Sequence, residues 1–281
     1  MQYREFKPSA LLSPYVECLW TLEGNNWQTP DGPERLLPDG CVELVMNFGL
    51  PFREHLDQHQ TATQPARFLV GQMTRPLLLS PSGPFQILGI RFQPGGTVPF
   101  FPFPIAEVTN CIVPLADIDS RLENGIVARV CEERQLSQKV RLTEQLLDQQ
   151  LKACSTPGTS LRPAVSRILR SRGQVSIDSL AHDLGISGRQ LGRRFQVEVG
   201  VGPKLLCRIL RFQRIFSALE RDDETWAGLA LDCGYYDQAH LIKDFQQFTG
   251  QSPSRLFDQF TAFTEQFTRK RRMSDFYNPA D

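Results

Sequence analysis

Residues 229–253 read Leu229-Ala230-Leu231-Asp232-Cys233-Gly234-Tyr235-Tyr236-Asp237-Gln238-Ala239-His240-Leu241-Ile242-Lys243-Asp244-Phe245-Gln246-Gln247-Phe248-Thr249-Gly250-Gln251-Ser252-Pro253, and the same pattern occurs earlier in the chain. Leu180-Ala181-x-Asp183-x-Gly185 precedes Leu229-Ala230-x-Asp232-x-Gly234 by 49 positions. After one extra residue the offset is 50, pairing Leu191 with Leu241, Phe195 with Phe245, Gly200 with Gly250, Pro203 with Pro253 and Leu206 with Leu256. A recurrence at this period is one supersecondary unit written twice. Each copy predicts a short helix, a glycine turn and a second helix. Gly185 and Gly234 stand where the first helix must stop and the backbone needs positive φ. Ser187 with Gln190 three residues on has the form of a capping box, and Asp237 can cap the equivalent helix of the second copy.

The second helix of each copy divides into two faces. Leu191 and Phe195, then Leu241, Phe245 and Phe248, share the helical spacing of an inward face. The outward face carries Arg189, Arg193 and Gln196 in copy one, and Gln238, Ala239, Ile242 and Lys243 in copy two. A helix-turn-helix with such a face fits the major groove of double-stranded DNA, where Arg and Lys donate to guanine and Gln pairs with adenine. A solvated polar face is the bland alternative for either helix alone; matching copies favour DNA.

Charge points the same way. Lys plus Arg and Asp plus Glu number 31 each, but the balance is uneven. Arg162 to Arg214 holds 11 basic and 3 acidic residues, whereas Ile215 to Thr268 holds 3 and 9. A compact basic segment in a neutral chain is the footprint of a polyanion contact. Between the copies, Lys204 to Arg221 reads as one long helix, apolar around much of its circumference and so buried by both units.

The run Ala230-x-x-Cys233-Gly234-Tyr235-x-Asp237-x-x-x-Leu241-x-x-x-Phe245-x-x-x-x-Gly250-x-Ser252-Pro253, with its first-copy counterpart, resembles the tandem DNA-binding domain of the AraC/XylS family of bacterial transcription regulators over residues 162–257. The resemblance implies that each recognition helix enters one of two adjacent major grooves. By position it offers Arg189, Gly192 and Arg193 from helix one and Gln238, Ala239, His240 and Lys243 from helix two. Gly192 and Ala239 have no hydrogen-bonding side chain where relatives often carry a polar one, and Gly228 replaces a polar helix former. It also implies RNA polymerase as a further partner if the protein is an activator.

The first 117 residues read as β-rich. Val42, Leu44, Met46 and Phe48 alternate with Cys41, Glu43, Val45 and Asn47 after the turn Pro38-Asp39-Gly40. Further short apolar stretches lie between Gly/Pro turns, as in a small barrel or sandwich. Pro38-Asp39-Gly40-x-x-Glu43-Leu44-Val45 and Gly89-x-Arg91-Phe92-x-Pro94-Gly95-Gly96 resemble the cupin-like sensor domains of one branch of the family, which implies a small-molecule effector of unknown identity. Glu43 and Arg91 are the candidate polar residues for it; an ion pair closing the barrel end is their plainer role. Phe85, Phe92, Phe100, Phe101 and Phe103 could line a pocket, although ordinary core is the safer assignment.

The expected architecture is an α+β multidomain chain. An N-terminal cupin-like β-barrel spans 1–117 and a helical linker 118–157, followed by an all-α tandem helix-turn-helix domain over 158–268 and a tail over 269–281. In the linker, Ile118, Leu122, Ile126 and Val130 share one face and Leu136, Val140, Leu147 and Leu151 another, separated near Glu132–Ser137. These faces suit a homodimer interface or a linker packed on the barrel. Phe257, Phe260, Phe263 and Phe267 stripe a C-terminal helix, and Arg269–Arg272 is a solvated tail or an added DNA contact.

An enzyme is not expected, and neither metal nor cofactor. Of four histidines, His182 and His240 belong to the repeat, and His55 with His59 makes a two-ligand site at most. Seven scattered cysteines with no C-x-x-C pair indicate neither a disulfide framework nor a zinc knuckle. The alternative of another class is a cupin-type metal or alkyl-transfer enzyme domain fused to a DNA-binding module. The longest nearly apolar run, Val98–Ala106, is broken by three prolines and excludes a spanning helix. With a charged start and no signal core, a cytoplasmic location away from membranes is expected.

Overall fold

The computed structural model describes residues 1–25, 32–57, 59–119, 122–154, 161–218 and 226–258. The N-terminal part consists of antiparallel strands β1 (Gln2–Phe6), β2 (Val16–Gly24), β3 (Glu34–Leu36), β4 (Val42–Asn47), β5 (Phe52–His55), β6 (Thr61–Thr63), β7 (Arg67–Val70), β8 (Leu77–Pro81), β9 (Phe85–Phe92) and β10 (Ile112–Pro114). They form a six-stranded sheet in the order β1-β2-β9-β4-β7-β10 and a four-stranded sheet in the order β3-β8-β5-β6. The β-rich expectation thus takes the shape of two open sheets.

The alternation in β4 and β9 gives the large sheet two apolar faces. Val42, Leu44, Met46, Leu88, Ile90 and Phe92 point to one side. Val45, Phe85 and Ile87 point to the other, with Trp20, Phe68, Leu77 and Leu79. Successive strand side chains alternate sides, so Phe85 and Phe92, seven apart, belong to separate cores. The five-phenylalanine cluster is therefore split. Phe92, Phe100 and Phe101 pack together at centroid distances of 5.5 and 5.9 Å, with Phe103 at their margin, while Phe85 meets Phe52 at 5.0 Å. These rings are core.

The outer face of the large sheet is covered by the linker. After the single turn α1 (Leu115–Ile118), the chain passes through a π-helical turn at Glu123–Val127 into α2 (Ala128–Glu132), then breaks and continues as α3 (Leu136–Ala153). Leu122, Val127, Val130, Val140, Leu146 and Leu147 are buried in the same core as Leu44, Leu88 and Phe92. Ile118, Leu136 and Leu151 are partly buried against it. Of the two roles open to these faces, packing on the chain's own sheet is the one adopted. This corrects the dimer expectation at Leu122 and Leu147: burial within the chain leaves them unavailable to a second copy. The side chain of Ile126 lies outside the described residues.

The C-terminal part is helical: α4 (Arg162–Arg170), α5 (Ile177–Asp183), α6 (Gly188–Glu198), α7 (Pro203–Ala218), α8 (Trp226–Asp232), α9 (Gln238–Thr249) and α10 (Pro253–Asp258). Each copy of the repeat has its own core, one around Leu180, Leu191 and Phe195 and one around Leu229, Leu241, Phe245 and Phe248. The central α7 contributes Leu206 to the first and Ile209 and Phe212 to the second, so both units share one rod. Phe212 meets Phe216, Phe245 and Phe248 at 5.2, 5.6 and 5.2 Å. The phenylalanine stripe beyond Asp258 and the basic run at 269–272 lie outside the described residues.

Candidate nucleic-acid interface

Each recognition helix starts where its capping residues dictate. The Ser187 hydroxyl accepts from the Gln190 N–H at 3.2 Å, and the Gln190 side chain accepts from the Ser187 N–H at 2.9 Å, completing the capping box. Asp237 accepts from the His240 N–H at 2.7 Å. Gly185 and Gly234, at φ +63° and +81°, make the turns that bring α6 and α9 across α5 and α8. Leu191, Phe195, Leu241, Phe245 and Phe248 are all fully buried, as their spacing requires.

The opposite faces are open. Arg189, Arg193 and Gln196 are exposed on α6, and a Cβ at Gly192 would meet nothing within 4 Å. Gln238, Ala239 and Lys243 are exposed on α9. Arg189 and Gln238 stand in the first turn of their helices, where the positive end of the macrodipole favours an anion.

Two expected contacts have local occupations. The Gln196 amide, oriented so that both ends are satisfied, donates to Gly200 O and accepts from the Gly202 N–H, each at 3.2 Å. It closes the turn between α6 and α7. The His240 ring is half-buried, edge-on to Tyr235 at 5.1 Å. Asp244, adjacent to Lys243, turns inward instead. Arg208 of α7 donates to its carboxylate at 2.6 and 3.1 Å and to Gln247 Oε1 at 2.6 Å, with the guanidinium 5.4 Å from the centre of the Phe248 ring. This pair fastens α9 to the central rod.

Sequence reasoning missed two groups. Arg194 is exposed beside Arg193, and Tyr236, 87% exposed, stands in the turn before α9. An aromatic residue so placed could have been picked out by its position between the turn glycine and the cap. The second group lies in the N-terminal domain. Arg35 of β3 donates to Thr249 O at 2.8 Å, Gln213 of α7 donates to Pro38 O, and Thr109 Oγ1 donates to Gly200 O at 2.8 Å. Leu37 packs on the core of the second repeat, and Gly40 lies over Leu206 and Ile209.

Glu43 and Arg91 are cross-strand partners between β4 and β9. Arg91 Nε donates to Glu43 Oε1 at 2.6 Å, and Arg91 is 3% exposed, with Glu5 3.9 Å away. Burial opposes the charge on Arg91, but Glu43, followed by Tyr3, Cys18 and Asp39, outweighs it and holds the guanidinium well above its ordinary value. The plainer role foreseen for these residues, an ion pair, is the one they fill. His55 Nε2 lies 2.8 Å from Ser80 Oγ, while the His59 N–H donates to Asp57. Among the described residues no group of three His, Cys, Asp or Glu side chains could hold a metal ion, and no helix is long and apolar enough to cross a membrane.

Residues 180–259 match the family model of a helix-turn-helix domain, and residues 4–114 match a domain of unknown function (DUF6597). No curated protein matches the chain. Among solved structures, ToxT from Vibrio cholerae is similar over 93% of this chain and 100% of its own, at 8% identity and a TM-score of 0.44. ToxT in an unsaturated fatty acid-bound form is similar over 86% and 94%, at 10% identity and a TM-score of 0.42. The AraC-like transcriptional activator CuxR is similar over 78% and 87%, at 13% identity and a TM-score of 0.26.

Proposed function

We propose that this chain, whose residues 180–259 match a helix-turn-helix domain, is a sequence-specific transcription regulator of the AraC type whose single protomer reads two adjacent major grooves of double-stranded DNA. The observation that carries this reading is the pair of open recognition faces on one rod, Arg189, Gly192 and Arg193 on α6 and Gln238, Ala239 and Lys243 on α9. Arg193 has the fork for a bidentate guanine contact, and Gln238 the amide for adenine. Arg194 and Tyr236 are added as backbone contacts, because phosphate binding positions a protein without selecting sequence. Gln196 and His240, engaged as they are, act on the helices that carry the readers.

The reading is non-enzymatic. It includes a small-molecule effector acting through the N-terminal domain, supported by that domain's contacts with the C-terminal end of α9 and with the turn after α6. A molecule reaching Glu43 or Arg91 must compete with their ion pair. Contact with RNA polymerase follows if the regulator activates. Any homodimer must use surfaces other than Leu122 and Leu147.

Hydroxyl-radical footprinting tests the reading, with the full chain on duplexes selected from a random library. Two protected patches about 10 base pairs apart, one per groove, are expected from a single protomer. One patch only, or no enriched sequence, would overturn it.

A further inference from the structure

The C-terminal end of α9 and the turn that follows α6 are both held by side chains of the N-terminal domain. The last carbonyls of a helix have no partner within it and carry the negative end of its dipole. At α9, Arg35 Nη1 donates to Thr249 O at 2.8 Å, placing a guanidinium where that dipole favours a cation. At the turn after α6, Thr109 Oγ1 donates to Gly200 O at 2.8 Å. Gly200 adopts φ +92°, and a Cβ there would come within 2.9 Å of Ile105, 3.1 Å of Gln72 and 3.2 Å of Thr109. The same domain also grips the rod: Leu37 packs against the core of the second repeat, Pro38 O accepts from Gln213, and Gly40 lies over Leu206 and Ile209. Within this domain the two grips are joined, because Gln72 Nε2 donates to Gly40 O at 2.7 Å.

We propose that the N-terminal domain is a brace that fixes the separation of the two recognition helices, and that Arg35 and Thr109 are positioning residues for spacing between the two halves of the DNA site. The inference rests on the two-groove reading above. The grips leave both N-terminal DNA faces open, so the brace sets geometry without covering the readers. One base pair inserted between the half-sites moves the second by about 3.4 Å and roughly a tenth of a turn. A braced pair of helices cannot follow that displacement. A pair joined by α7 alone can follow it in part.

The test uses the full-length chain and selection from a random 40-base-pair duplex library, comparing wild type with Arg35→Ala/Thr109→Val and with Arg35→Lys. Both changes lie outside the hydrophobic cores, and circular dichroism checks the fold. Wild type is expected to enrich two half-motifs at one spacing and to lose about tenfold in affinity when one base pair is inserted, the scale of one charged hydrogen bond. The double variant should enrich the same half-motifs over several spacings and lose about threefold or less on insertion. Arg35→Lys, which keeps a cationic donor and leaves Thr109 in place, should retain most of the discrimination. Equal spacing profiles for wild type and double variant would overturn the brace while leaving the two-groove reading intact. A wild type enriching a single half-motif, or none, would overturn both.

Discussion

The ion pair between α7 and α9 should be lopsided in energy. Asp244 has 2% of its side chain exposed and Arg208 23%. Replacing Arg208 with Ala leaves a carboxylate inside the second repeat with its bidentate partner gone, a loss of about 3–5 kcal/mol for breaking a buried pair from one side. Replacing Asp244 with Ala leaves a guanidinium that can still reach water, Gln247 and the face of Phe248, so the cost should be about 1–2 kcal/mol. With both removed, no charge is stranded, and the double variant should be more stable than Arg208→Ala alone. A double-mutant cycle by urea denaturation, followed through fluorescence of Trp226 at the start of α8, measures all three values. The expected coupling exceeds about 1 kcal/mol, well outside the error for independent sites. An Asp244→Ala cost equal to or above that of Arg208→Ala, or additivity within about 0.5 kcal/mol, would refute the argument from burial.

Two other predictions concern DNA and the linker. The basic first copy should dominate phosphate neutralisation, so Arg193→Ala should nearly abolish specific binding at moderate salt while Lys243→Ala weakens it modestly; affinities for a selected duplex at two salt concentrations decide, and equal losses count against it. Leu147→Ala should cost about 3 kcal/mol of stability with no change in sedimenting mass, because Leu147 packs against its own sheet; a change of mass at unaltered stability would contradict that packing.

The recognition helices were legible because each rests on short-range chemistry. Gly185, Gly234, Ser187 with Gln190, and Asp237 announce turns and caps whose partners lie within a few residues. The apolar faces follow from period alone. Period cannot tell what a face meets, and Leu122 and Leu147 show this: their spacing suits a second copy as well as the outer face of a sheet. Lys243 and Asp244 are sequence neighbours of opposite charge, yet adjacent residues on a helix do not face each other, and Asp244 points to Arg208 while Lys243 points to solvent. Phe85 and Phe92 carried their answer in an odd separation along a strand. Arg35 and Thr109 gave no sign at all, since a single polar side chain meeting a carbonyl more than 90 residues away leaves no pattern in the chain.

Three hydrogen bonds across the domain junction share one form. Arg35 donates to Thr249 O, Thr109 to Gly200 O and Gln213 to Pro38 O, so each donor is a side chain and each acceptor a main-chain carbonyl. Every residue type supplies that carbonyl. Through evolutionary drift, Thr249 and Pro38 could change identity without losing the contact, while the three donors could not. Gly200 is the exception, held to glycine by its φ and by its close neighbours. Correlated substitution between partners, the usual trace of two surfaces that stay together, should therefore be nearly silent here, and the junction should appear among relatives as isolated invariant donors facing variable positions.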